Sequence, residues 1–149
     1  MTWLTADRED ASLDDLLAHR PELQVKYRAF YGSIREAGLV PPRLLEICRL
    51  RMAAIHDCEA EWSQRDAEVE LTEAELAALR RGELKGFAPA EQAALVVTER
   101  LPYQHHELTD AEVASLKFRL GDAGCVSLIN ALVLFDVNCR LKLAFDLKQ

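Results

Sequence analysis

A 149-residue chain that is half hydrophobic and 29% charged fits one globular domain, large enough to bury a core without staples. Its formal charge of -7 argues against phosphate-backbone binding, which needs clustered Lys and Arg, and no basic stripe with interleaved aromatics is present. The opening stretch MTWLTADREDASLDD is acidic and lacks the apolar centre of a signal peptide, and the longest apolar run, Cys125 to Phe135, is too short to span a bilayer.

Taken in order, almost every segment reads as helix. Ser12 is an N-cap for a short helix, with Asp15 near the positive end of its dipole. Pro21 suits a first helical turn, and Leu23, Tyr27, Phe30, Tyr31 and Ile34 recur at helical spacing until Gly38 stops the run. Pro41-Pro42 opens a helix with the apolar set Leu44, Leu45, Ile47, Cys48, Leu50 and Met52. After a break at His56-Asp57, Asp57 can cap a helix carrying Cys58 in its first turn. Thr72 to Glu75 is a capping box whose helix stops at Gly82. Pro89 opens a helix predicted to end before Pro102. Thr109 to Glu112 caps another that stops near Gly121, and the last runs from about Asp122 to Leu147. No alternating strand is seen. The prediction is an all-α single domain of about seven or eight helices.

The chemistry gathers around Leu44 to Val69. Positions i, i+3, i+4 and i+7 share a helix face, so Cys58, Glu61, Trp62 and Arg65 can converge, and a fold-back can bring Glu46 beside them. The four cysteines are scattered, with no CxxC and no zinc-finger spacing; Cys48, Cys125 and Cys139 read as core residues. No HxxH or HExxH supports a metal site, and no GxGxxG, P-loop or GxSxG is present, so no metal or cofactor is expected.

The run GLVPPRLLEICRLRMAAIHDCEAEW resembles the carboxymuconolactone decarboxylase family, which includes the alkylhydroperoxidase-like proteins. Glu46 and Cys58 keep the family spacing from glutamate to the first cysteine of a CxxCxxxH motif, and HHELTDAEVASL and FDVNCRL add support. The likeness covers roughly residues 21 to 143 of the 149. It implies an all-helical unit that assembles as a homo-oligomer, commonly a trimer or hexamer. Two positions depart from the pattern: Glu61 stands at the second cysteine and Arg65 at the histidine. In the peroxidase members the second cysteine attacks peroxide and the first resolves it, so the resemblance does not carry the two-cysteine mechanism over.

The leading expectation is therefore an enzyme of non-redox acid/base chemistry on a small organic acid. Glu61 would be the acid/base group, Glu46 its assistant and Arg65 a charge-setting or substrate-carboxylate group; Cys58 and Trp62 would line the wall. A Glu61–Arg65 pair could instead be structural. His105 and His106 precede a capping box, where a loop could fold over the pocket, and His56, Asn138 and Arg140 are further polar groups of open role. One alternative is a thiol-dependent peroxidase using Cys58 as its lone thiol. Another is a non-catalytic oligomeric ligand-binding protein. Acidity and the absence of a leader predict a cytoplasmic protein with a small-molecule ligand and no nucleic-acid or membrane partner.

Overall fold

Helix-start and helix-stop residues lay out the molecule. The computed structural model describes Leu4, Arg8 and residues 10–148; the rest of the acidic opening stretch lies outside the described residues. Among the described residues are seven α-helices, one 3-10 turn and no strand, the all-α class predicted. Ser12 and Asp15 form a reciprocal capping box on α1 (Leu13–Leu17). Pro21 opens α2 (Pro21–Glu36) and Pro42 opens α3 (Pro42–Ile55), each at a position whose N–H has no partner inside a helix. A single turn, α4 (Glu59–Trp62), follows. The Thr72–Glu75 box starts α5 (Glu73–Arg81), which Gly82 ends in the left-handed region. Pro89 opens α6 (Pro89–Gln104), a 3-10 turn spans His105–Glu107, and the Thr109–Glu112 box starts α7 (Asp110–Ala144).

Three boundaries differ from the sequence prediction. Helix α6 runs through Pro102, because in the last turn the missing N–H forfeits only one ladder bond. Helix α7 ends at Ala144, short of Leu147, and is broken only at Gly121, whose φ of 69° and ψ of 177° mark the predicted stop. Its apolar stretch is longer than the Cys125–Phe135 run suggested and, by length and composition alone, could cross a membrane; here it packs against α2, α3 and α6. The third difference is α4, treated with the site.

Helix α3 lies at the centre, with α5, α6 and α7 packed on it. Ile47, Cys48, Leu50, Met52 and Ala53 are fully buried on it, facing Leu95 and Val97 of α6 and Leu128 and Leu132 of α7. Each such aliphatic side chain contributes about 1.5–3 kcal/mol on burial. Burial on most faces carries Glu46 and Arg49 inside with the apolar residues. Helix α2 lies more open than its periodicity implies. Ile34 is buried and Tyr27 and Tyr31 are half-buried, while Leu23 and Phe30 stand exposed at 45% and 47%.

Candidate functional site

The chain leaves α3 at His56 and turns back through Asp57, which takes a positive φ of 50°. Cys58, not Asp57, becomes the N-cap of α4, held by its N–H to the Ala53 carbonyl at 2.9 Å. The helix then stops after one turn. Arg49 donates to the carbonyls of Glu61 at 2.7 Å and Gln64 at 2.6 Å, diverting acceptors that a continuing helix would use. Arg65 therefore lies beyond α4 and off the predicted stripe.

Arg49 organises the interior. Its Nε and Nη2 grip both oxygens of Glu46, at 2.9 and 2.7 Å, and Nη1 reaches Glu61 Oε1 at 2.9 Å. With the two carbonyls, all five guanidinium N–H groups are used. The other oxygen of Glu61 meets Lys142 Nζ at 2.7 Å, and Lys142 is itself buried and 3.4 Å from the side-chain oxygen of Gln64. Two carboxylates and two cations thus balance inside the protein. Burial works against the Arg49 charge, yet the hydrogen bonds and charges of Glu46 and Glu61 outweigh it and raise its pKa. The fold-back expected of Glu46 has occurred, with Arg49 as the link. The alternative, a structural Glu61–Arg65 pair, has not formed, because Arg49 and Lys142 already hold both oxygens of Glu61.

Cys58 has an internal partner that its spacing concealed. Its Sγ donates to the Cys139 carbonyl oxygen at 4.0 Å, across 81 residues of chain. The Cys139 side chain is the largest influence lowering Cys58 from 9.0 to about 7. Burial opposes it, the Glu61 backbone N–H assists, the Glu61 carboxylate pushes back, and Lys142 adds a smaller pull. Cys139 moves the other way: the hydrogen bond to Cys58, then burial, raise its pKa far above the ordinary thiol range. By contrast, burial pushes Cys48 up to about 12, as for an inert core cysteine.

Two cavities meet at Lys142. One, of about 310 Å³, is lined by Cys58, Glu59, Ser63 and Lys142 together with the end of α7 and the residues after it. The other, of about 380 Å³, lies beneath α1 and is lined by Tyr27, Tyr31, Glu61, Gln64, Asn138 and Lys142. The Tyr27 hydroxyl donates to Asn138 Oδ1, and burial, then Tyr31 and Glu61, push its pKa up to about 12, so it stays protonated.

The remaining predicted residues are placed elsewhere. Arg65 is exposed, bonds the Gln64 carbonyl at 3.2 Å and lies over Trp62, whose ring is also covered by Arg80 at 3.9 Å. Trp62 thus stacks two guanidinium groups. His105 and His106 are exposed on the 3-10 turn, packed edge-on against each other, and line neither cavity. His56 pairs with Asp136 at 2.7 Å and Tyr103 at 3.1 Å, and Arg140 clamps the same Asp136. Sequence reasoning missed Arg49, Lys142 and Cys139 as site residues. Their one visible signal was chemical: Arg49 and Lys142 each stand directly between two apolar residues of a helix, Cys48 and Leu50 or Leu141 and Leu143. Among the described residues no three His, Cys, Asp or Glu side chains gather as metal ligands would. No family model matches the chain, and no curated protein matches it.

Proposed function

We propose that the protein is a thiol-dependent enzyme that reduces small hydroperoxides, with Cys58 as the reacting thiol. The observation that carries this reading is the setting of Cys58: an N-cap thiol beside a second thiol and a buried lysine, on the wall of a cavity. With a pKa of about 7, much of it is thiolate at neutral pH. Resemblance to the alkylhydroperoxidase-like proteins points the same way, with the attacking role moved to the cysteine that this chain retains.

In the reaction, the Cys58 thiolate attacks one peroxide oxygen. An S–O bond forms, the O–O bond breaks, and the leaving alkoxide takes a proton from water to depart as alcohol. Lys142 offsets the negative charge near the sulfur. Only 1% of Cys58 is exposed, which restricts the oxidant to one small enough for the adjoining cavity. An external dithiol supplies the two electrons that return Cys58 to the thiol, and the oxygen leaves as water. The test is peroxide consumption by the reduced protein with a dithiol reductant, beside Cys58→Ser. Loss of turnover in the variant supports the reading, and background rates in both proteins overturn it.

A second reading rests on the cavity beneath α1. Glu61, Lys142, Asn138 and the Tyr27 hydroxyl form its polar wall, a setting for acid/base chemistry on a small organic acid. Both oxygens of Glu61 are taken by cations, so a substrate must first displace Arg49 or Lys142. Turnover of any small carboxylic acid that survives Cys58→Ser but not Glu61→Gln would favour this reading.

A further inference from the structure

We propose that Cys139 is the resolving thiol: it displaces the oxidised oxygen from Cys58 and closes a Cys58–Cys139 disulfide inside the subunit. This rests on the thiol reading above and adds a residue and a product to it. Cys58 and Cys139 lie on different elements, the N-cap of α4 and α7, and the packing of α4 on α7 buries both side chains together. Cys58 Sγ also sits 4.0 Å from the Cys139 carbonyl oxygen, so sulfur and partner backbone meet directly.

Division of labour follows from the surroundings. Cys139 is fully buried and keeps its proton while Cys58 is a thiolate, because it donates to that sulfur. It cannot then compete for peroxide. Once Cys58 becomes a sulfenic acid its negative charge is gone, and with it the main influence holding the proton on Cys139. Lys142 remains beside the pair and favours the thiolate. Attack by Cys139 Sγ on Cys58 Sγ forms the S–S bond and breaks the S–O bond, and the hydroxyl leaves as water with the proton of Cys139. The overall change is two thiols plus one hydroperoxide to one disulfide, one alcohol and one water. Cys58 begins a single helical turn that is not continued after Trp62, so the approach needed for bonding falls on α4.

The test uses the full reduced chain and hydrogen peroxide, followed by peptide mapping without reductant. Expected are a peptide joining Cys58 to Cys139, lighter by two hydrogens than the separate thiols, and a fall from four free thiols to two that a dithiol reverses. Cys139→Ser should instead accumulate a Cys58 that reacts with dimedone. If the wild type yields the same dimedone adduct and keeps its other three thiols, Cys139 is idle and the proposal fails while the peroxidase reading stands. If peroxide leaves Cys58 reduced in both proteins, the peroxidase reading itself falls and the proposal with it. The wild-type mapping decides the matter even if the variant does not fold.

Discussion

At the scale of single residues, the thiol and the ion cluster are coupled through Glu61. Its carboxylate raises the Cys58 pKa while its backbone N–H, the Cys139 thiol and Lys142 lower it, leaving a value of about 7. Alkylation of Cys58 by iodoacetamide should therefore rise with pH and reach half its maximum near 7, instead of near the ordinary 9.0. Cys139→Ala removes the strongest lowering influence, so the midpoint should move up. Glu61→Gln removes a negative charge, so the midpoint should move down. A merely structural Glu61 would leave that midpoint in place. The same substitution uncovers the buried Lys142 and half of Arg49, and breaking a buried ion pair from one side costs roughly 3–5 kcal/mol. Urea titration of Glu61→Gln should show a loss of that order, and a change under 1 kcal/mol would mean that water already reaches the cluster.

At the scale of elements, the break in α7 offers a clean measurement. Gly121 holds φ 69° and ψ 177°, a region essentially open only to glycine, and a Cβ built there meets nothing within 4 Å. Gly121→Ala should cost about 1–3 kcal/mol through backbone strain alone, read as a lowered Tm with unchanged helicity. A neutral result would mean that α7 straightens through the break at no cost. Such stops and starts were legible in the sequence because they are local: Ser12, Thr72 and Thr109 cap helices with their own neighbours, and Gly82 and Gly121 adopt angles that other residues avoid. Helix α4 was not legible. What ends it is Arg49, a residue of the previous helix whose guanidinium takes the Glu61 and Gln64 carbonyls. Periodicity carries Cys58, Glu61, Trp62 and Arg65 along one stripe, but the long-range hydrogen bonds win. The contact of Cys58 with Cys139 was equally hidden, since no spacing rule connects residues that far apart.

At the scale of the whole molecule, the surface of α7 bears on assembly. Val126 and Val133 are 62% and 46% exposed, and their seven-residue spacing puts them on one face, with Ile129 half-buried alongside. Between them Asn130 donates its amide to the Val126 carbonyl at 2.8 Å, satisfying within the helix a group that would otherwise need water. If a second copy docks on this chain, this stripe is where a dry contact would form. Two such copies would each carry a net charge of -7, so added salt should strengthen any association by screening repulsion. Sedimentation should give a multiple of 16.8 kDa for the wild type and the single-chain mass for Val126→Glu with Val133→Glu. These exposed positions should change the stability of the subunit by no more than about 0.5 kcal/mol each. Equal masses for the two proteins would remove the stripe from assembly. At 3.6 residues per turn, Cys139 lies about a third of a turn round α7 from the stripe, so the thiol chemistry should persist in the dissociated variant. If the Cys58 alkylation midpoint shifts on dissociation, the neighbouring copy takes part in setting the thiolate, and assembly and reactivity are one device.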